Sequence, residues 1–301
     1  MKVLISGGSG LVGRAISAQL LAKSHQVAIL SRSGNSSMPG VEAFAWSPSQ
    51  ASMDKAALEG VDAIINLAGS SIAQRWTQHG KQSIFKSRID ATRTIAKALA
   101  ENEHQVETVI NASAVGYYPN SLEAEYSEEA AAGDDFLSEV CQKWEEEAIK
   151  IEGLTERVIR MRIGIVLDTQ EGALAKMAQP IRFGIGAPLG SGKQWMPWIH
   201  KDDLASQFLF VLENKSLESG AFNAVGPYSV SNEELTQALA KTLKRPLILP
   251  NVPEFALKLL LGEMAATALA STKAINHKFK EYGFEYRYNR LEEALHALYV
   301  D

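Results

Sequence analysis

The residues whose types and spacing first imply chemistry lie at the N-terminus, in Ser6-Gly7-Gly8-Ser9-Gly10-Leu11-Val12-Gly13. Each glycine meets a different demand of a phosphate-binding turn. Gly7 or Gly8 permits the tight turn, Gly10 lets the backbone approach a pyrophosphate, and Gly13 allows a helix to pack closely on the strand before it. Leu11 and Val12 lie within this turn as further cofactor contacts, and the N-terminus of the helix that follows offers free N–H groups, at the positive end of its dipole, to the phosphates. About 20 residues beyond such glycines an NAD site usually carries Asp or Glu for the ribose 2′-OH. Between Gly13 and Glu42 there is no acidic residue, and Ser31-Arg32 stands in that place. A hydroxyl beside a guanidinium suits a 2′-phosphate, so the expected cofactor is NADP(H) rather than NAD(H).

The elements needed to position these groups are legible around them. Lys2–Ile5 reads as a strand, Arg14–Lys23 as an amphipathic helix and Val27–Leu30 as a second strand, the strand–turn–helix–strand order a dinucleotide fingerprint requires. Further strands are expected at Val41–Trp46, Val61–Gly69, Val106–Ser113 and Arg157–Leu167, with helices at Asp54–Glu59, Gln78–Glu101 and Asp134–Lys150. This alternation predicts an α/β fold, a Rossmann-type doubly wound parallel sheet. The strand Val61–Gly69 ends in Leu67-Ala68-Gly69, small residues that fit a backbone-lined cofactor wall at the carboxyl edge of the sheet. Arg88, near the middle of a long helix, is placed either to reach that crevice or to pair on the helix surface.

After Leu167 glycine and proline crowd the chain as far as Trp198-Ile199-His200-Lys201-Asp202-Asp203. Leu204–Leu212 then reads as an apolar helix and Gly220–Val225 as a strand returning to the sheet. Ser231 and Glu234 have capping-box spacing, prolines 246, 250 and 253 cut the next stretch into short pieces, and Leu291–Tyr299 is a terminal helix. The expected organisation is a nucleotide-binding domain over residues 1–170, to which 200–225 return, and a smaller C-terminal α/β lobe over 171–301 that covers the crevice.

At 301 residues, 46% hydrophobic and 22% charged, the composition is that of a globular protein, and the net charge of −5 carries no footprint for nucleic acid or anionic membrane. A single cysteine, Cys141, excludes an internal disulfide framework, and the six histidines lack metal-ligand spacing. With no secretory or membrane-spanning segment read from the sequence, a cytoplasmic protein acting on a small-molecule substrate is expected. A homodimer is compatible with the sequence.

Taken together, Ser6–Gly13, Asn66–Gly69 and Trp198–Asp203 resemble an atypical or extended short-chain dehydrogenase/reductase. Arg75-Trp76, Ser87-Arg88, Gly116-Tyr117-Tyr118, Lys143-Trp144-Glu145, Arg162–Leu167, Gly184–Gln194 and Gly283-Phe284 narrow the likeness to the epimerase family proteins with a C-terminal domain of unknown function. The resemblance runs from Lys2 to about Leu298. It implies NADP(H) with its 2′-phosphate at Ser31 and Arg32, its adenosine and nicotinamide ribose along Leu67-Ala68-Gly69, Arg88 beside the phosphates, and Gly164, Ile165 and Val166 at the nicotinamide end. Where the family tends to have Gly-Gln-Arg and a later Pro, this chain has Ser271-Thr272-Lys273 and Asn276.

Active members of that superfamily carry Tyr-x-x-x-Lys on one helix face, the Tyr exchanging a proton with the substrate oxygen and the Lys lowering its pKa. None of the eight tyrosines here has Lys four residues later, and counting back from Glu145 puts Leu137 and Cys141 at the two positions. The remaining catalytic candidates are Ser113, placed to hydrogen-bond a substrate carbonyl, and Tyr117 or Tyr118 as the acid. His200 and Asp202 read either as a proton relay or as a helix cap, and Cys141 as a buried small hydrophobe. Two functions remain open: an NADP(H)-dependent oxidoreductase or epimerase-like enzyme, or a catalytically silent protein that senses NADP(H).

Overall fold

A computed structural model describes residues 1–300. Its main sheet takes β1 (Lys2–Ser6), β2 (Gln26–Ser31), β3 (Val41–Ser47), β4 (Ser52–Met53), β5 (Ala63–Asn66) and β6 (Thr108–Ala114) from the first part of the chain. After the short β7 (Glu125–Tyr126) it adds β8 (Arg157–Ile163). Four short strands follow: β9 (Ile165–Leu167), β10 (Trp195–Met196), β11 (Trp198–His200) and, again in the main sheet, β12 (Gly220–Ala224). The order is β12-β8-β6-β5-β1-β2-β3-β4, with every pairing parallel except the antiparallel edge strand β4. The order reverses between β1 and β5, the place where doubly wound sheets open a ligand crevice.

Both faces of the central strands β1, β2 and β5 are buried, so these strands are continuously apolar rather than alternating. Helices α1 (Leu11–Ala22) and, from the second half of the chain, α5 (Lys201–Glu213) cover one face; Ile16, Leu20, Leu204 and Phe208 pack there on Val3, Ile5 and Ile29. Helices α2 (Gln78–Glu101) and α3 (Phe136–Ile149) cover the other, where Ile95, Leu99 and Ala148 meet Leu4, Ile64 and Val109.

The second lobe is built from α4 (Gly172–Arg182), α6 (Asn232–Thr242) and α10 (Leu291–Tyr299), whose apolar faces close around the fully buried Trp198. The expected capping box of Ser231 and Glu234 opens α6. Strand β13 (Val230–Ser231) pairs with β10, and β14 (Lys273–Ala274) with β7. Helices α7 (Glu254–Leu261), α8 (Ala265–Leu269) and α9 (His277–Glu281) complete the chain.

Two elements differ from the sequence reading. The run Arg157–Leu167 is not one strand: it breaks at Gly164, and β9 leaves the main sheet to pair in parallel with β11. A Cβ at Gly164 would lie 2.2 Å from the Pro197 carbonyl oxygen, so the close approach of that segment sets the break. The glycine-rich stretch after Leu167 also contains α4, with Pro180 inside it. Leu174, Ala178 and Ile181 hold that helix by burial despite the proline.

Candidate cofactor and active site

The glycine turn is shaped by close backbone contacts. Gly7 has φ +68°, and a Cβ there would sit 3.0 Å from the carbonyl carbon and oxygen of Leu67, so the turn and the end of β5 are packed main chain against main chain. At Gly13 a Cβ would lie 2.5 Å from Gly8 Cα, which seats α1 directly on the turn. Gly10 differs: it is exposed, caps α1 without any side-chain hydrogen bond, and a Cβ there would meet only the Gly7 oxygen, at 3.3 Å. The first N–H groups of α1, on Leu11 and Val12, therefore face an open space at the positive end of the helix dipole.

A buried polar floor supports this space. Ser6 Oγ donates to Asn66 Oδ1 at 2.5 Å and accepts from the N–H groups of Leu67 and Ala68 at 3.2 Å, fixing the backbone wall at the end of β5. Asn66 Nδ2 donates to Asn111 Oδ1 at 2.6 Å and Thr92 Oγ1 at 3.0 Å, and Trp144 Nε1 donates to the same threonine at 3.1 Å. Leu67, Ala68, Ile163, Gly164, Ile165 and Val166 are half-exposed along the same edge, and Gly69 is exposed. Ser31 ends β2 and Arg32 follows it, exposed and without an ion pair among the described residues.

Arg88 turns into the crevice rather than pairing on the helix surface. Its Nη1 donates to the carbonyls of Ser70 and Ile84 at 3.1 and 3.0 Å, its guanidinium lies 5.1 Å from the Trp144 ring centre, and it packs against Gly69. Burial holds its pKa below the ordinary arginine value, and no carboxylate among the described residues pairs with it. The Arg88 guanidinium thus lies beside Gly69, just past the end of β5, with two backbone carbonyls and no carboxylate as partners among the described residues.

Ser113, Tyr117 and Tyr118 lie together, but only one of them is free to act. Ser113 is buried and its Oγ donates to Glu145 Oε1 at 2.7 Å. Glu145 also receives Arg162 Nε and Nη2 at 2.8 and 2.9 Å, a two-pronged buried ion pair. Arg162 Nη1 then donates to Tyr118 OH at 2.9 Å and to the Glu128 carbonyl at 3.0 Å, and the Tyr118 hydroxyl donates to Asn223 Oδ1 at 2.7 Å. Burial pushes the Tyr118 phenol up to about 12, partly opposed by Arg162. The structure thus corrects two expectations: the Ser113 hydroxyl is committed to Glu145, and Tyr118 is a buried structural link. Tyr117 is half-buried, its ring lies flat against Arg162 with 3.5 Å from guanidinium to ring centre, and its hydroxyl has no partner among the described residues.

The two positions of the absent Tyr-x-x-x-Lys pair are occupied as the sequence indicates. A Cβ on Gly116 would touch Leu137 Cβ at 3.3 Å and Cys141 Sγ at 4.0 Å, so both side chains face the segment that follows β6. Burial, reinforced by Glu145, pushes the Cys141 thiol up to about 12, so it is a packing residue rather than a nucleophile. His200 is a cap: its Nδ1 accepts the Asp202 N–H at 3.1 Å at the start of α5, and its ring packs on Tyr288 at 4.1 Å between centres. Ser271, at one of the family departures, ties the lobe to the main domain by donating to the Ser121 carbonyl at 2.7 Å and accepting from Trp195 N–H at 3.0 Å. Asn276 is buried and donates to the Gly226 carbonyl at 2.8 Å.

Sequence reasoning assigned no role to Glu145, Arg162 or Asn223, nor to the floor of Asn66, Asn111 and Thr92. The available signal was the run of Arg157, Arg160 and Arg162 alternating with apolar residues in Arg157–Leu167, since a charge on a buried strand requires a buried partner.

The profile of the NAD dependent epimerase/dehydratase family matches residues 3–139, and that of a domain of unknown function (DUF1731) matches residues 252–298. Epimerase family protein YfhF of Bacillus subtilis is 36% identical over 302 residues, an alignment covering 100% of this chain and 99% of that protein. This chain belongs to the epimerase family. Mouse epimerase family protein SDR39U1 is 35% identical over 300 residues, covering 98% of each chain. The crystal structure of human SDR39U1, isoform 2, solved with NADPH, superposes with a TM-score of 0.88 at 32% identity over 99% of both chains. A UDP-glucose 4-epimerase of Thermus thermophilus in complex with NAD has a TM-score of 0.77 at 19% identity and shares the fold.

Proposed function

We propose that this epimerase-family chain binds NADP(H) along the carboxyl edge of its sheet and uses it as an oxidoreductase on a small carbonyl or conjugated double-bond substrate. The observation that carries this reading is the open cradle at Gly10 beside uncapped N–H groups, with unpaired Arg32 and Arg88 flanking it. The human relative solved with NADPH supports the same cofactor. Gly7, Gly10, Leu11, Val12 and Gly13 would hold the pyrophosphate, Ser31 and Arg32 the 2′-phosphate, and Leu67, Ala68 and Gly69 the ribose wall. Arg88 would stand beside the phosphates, with Gly164, Ile165 and Val166 at the nicotinamide end. Bound NADPH supplies a hydride to an electrophilic carbon.

The chain's own contribution is binding, orientation and one proton. Tyr117 donates that proton to the substrate oxygen, the role Tyr fills in the missing pair. Ser113 acts indirectly: through Glu145 it fixes Arg162, and Arg162 fixes the plane of the Tyr117 ring. The family label of epimerase is a fold-level name and carries no weight for the reaction. A cytoplasmic location and small-molecule partner fit this reading; no helix among the described residues is long and apolar enough to cross a membrane.

The packing of Leu137 and Cys141 where a Tyr–Lys pair would act also supports a second reading, a protein that senses NADP(H) without turnover. The deciding experiment is titration of NADPH and NADH into wild type and Arg32→Ala, followed by turnover on a carbonyl panel. A preference for NADPH lost in Arg32→Ala is expected, and equal affinity for both cofactors would remove the 2′-phosphate assignment. Tight binding with no turnover on any carbonyl would favour the sensor.

A further inference from the structure

An ion pair crosses from the glycine turn to the second lobe. Arg14, at the end of the first turn of α1, folds back so that its Nη1 donates to the Ser9 carbonyl at 2.6 Å. Its Nη2 donates to Glu171 Oε1, also at 2.6 Å. Glu171 stands on the far side of the crevice, where the chain leaves β9 for α4. The two side chains are 47% and 50% exposed, so an anion arriving from solvent can reach both.

The backbone that carries Glu171 is fixed. Asp168 Oδ1 accepts the N–H groups of Gln170 and Glu171 at 2.8 and 3.0 Å, and Asp168 Oδ2 pairs with Lys201 Nζ at 2.7 Å at the start of α5. Helix α5 packs beside α1, and Gln19 Nε2 donates to the Asp202 carbonyl at 2.9 Å. A Cβ on Gly172 would lie 3.6 Å from the Val166 carbonyl oxygen. Residues 168–172 therefore form a rigid strap between Val166, at the proposed nicotinamide end, and the glycine turn. The long side chains of Arg14 and Glu171 are the parts of this closure that can move.

Both partners stand where exchange is favoured. Arg14 brings a cation to the N-terminal end of α1, where the helix dipole repels it and no acidic residue occupies the first turn. Glu171 supplies the anion that such a place requires. Glu171 is also the N-cap residue of α4, yet it gives that helix no side-chain hydrogen bond, and α4 has no acid in its own first turn. Released from Arg14, its carboxylate remains at a helix N-terminus that favours negative charge.

We propose that Arg14 is a ligand of the cofactor diphosphate, and that Glu171 is an internal anion which the diphosphate displaces from it. This rests on the reading of the sheet edge as an NADP(H) site and adds a competitor carried by the second lobe. A diphosphate oxygen takes the place of Glu171 Oε1 on Nη2, while Nη1 keeps the guanidinium on Ser9, one residue before the open position at Gly10. An exposed ion pair is weak enough for the exchange to be reversible, and a guanidinium suits phosphate as well as carboxylate.

The test is titration of NADPH and of NADH into wild type, Arg14→Met, Glu171→Gln and the double variant. The single variants should move in opposite directions. Arg14→Met should weaken both cofactors by about tenfold, and Glu171→Gln should tighten both by about two- to fivefold. Most of that gain should vanish in the Arg14→Met background, because the carboxylate acts through Arg14. A pair that merely ties the lobes together would shift both single variants the same way. That result, unchanged affinity in either, or an equal Glu171→Gln gain in both backgrounds would overturn the proposal. An Arg14→Met effect confined to NADPH would also overturn it, moving Arg14 to the 2′-phosphate and leaving the cofactor site in place. Wild type that bound neither cofactor would remove the site itself, and this inference with it.

Discussion

Replacing Gly10 by Ala separates folding from cofactor binding. Gly10 has φ −76° and ψ 171°, backbone that alanine adopts without strain. The added methyl would touch only the Gly7 oxygen, at 3.3 Å. Removing a glycine from the unfolded chain stabilises by about 0.4–1 kcal/mol, and alanine is a poorer N-cap by a comparable amount. The two offset, so the melting temperature should stay within about 1 °C, below the roughly 2 °C that 1 kcal/mol shifts a chain of this size. The same methyl projects into the space where a pyrophosphate would meet the N–H groups of Leu11 and Val12. A loss of at least about 1.4 kcal/mol, tenfold in Kd, is expected in a fluorescence titration with NADPH. Gly13→Ala makes the contrast: its methyl would lie 2.5 Å from Gly8 Cα and 2.6 Å from the Gly7 oxygen, so α1 must shift and the melting temperature must fall. If Gly10→Ala bound NADPH as tightly as wild type, the pyrophosphate would not approach this turn, and the cradle argument would be wrong.

Three further outcomes follow from the site. Tyr117→Phe should lower turnover by about 10²- to 10⁴-fold with NADPH affinity unchanged, while Tyr118→Phe should act mainly on stability; full activity in Tyr117→Phe would exclude it as the proton donor. Glu145→Ala strands Arg162 in the interior and should cost about 3–5 kcal/mol in denaturant unfolding; a cost below about 1 kcal/mol would show that the pair is not buried as described. Burial lowers the His200 pKa from 6.5 to about 4, against Asp202 and Asp168, which raise it, and with Lys201 and Arg287, which lower it further. The unfolded chain therefore takes up this proton first, and stability should decline as pH falls from 6.5 towards 4, by up to about 3 kcal/mol. His200→Asn should flatten that segment of the stability curve, and an equally steep curve in the variant would assign the decline to other groups.

The cofactor turn was legible because each of its glycines answers a local demand, and strand–turn–helix context stands within a few residues of it. The identity of the free phenol was not legible. Tyr117 and Tyr118 are adjacent and alike in sequence, and what separates them is Arg162 and Asn223, brought in by β8 and β12. The break at Gly164 was hidden for the same reason: the apolar run continues through it, and the cause is a carbonyl of Pro197 arriving from a distant segment. Helix α4 was masked by its own Gly172 and Pro180, local signals outweighed by the burial of Leu174, Ala178 and Ile181. Local propensity thus described the main sheet well, and tertiary contact decided the places where catalysis is proposed.

Strand β12 has a consequence for how the protein is made. Gly220–Ala224 pairs along β8 from Ile159 to Ile163, and α5 packs beside α1 on the same face. A nascent chain that has emerged only as far as Leu167 therefore presents β8 as an open edge, with half of one sheet face uncovered. The nucleotide-binding core cannot finish folding until residue 224 has left the ribosome, by which time α4 and β11 are already in solution. Truncation after Leu167 would leave the same open edge permanently, and such fragments should aggregate rather than bind nucleotide.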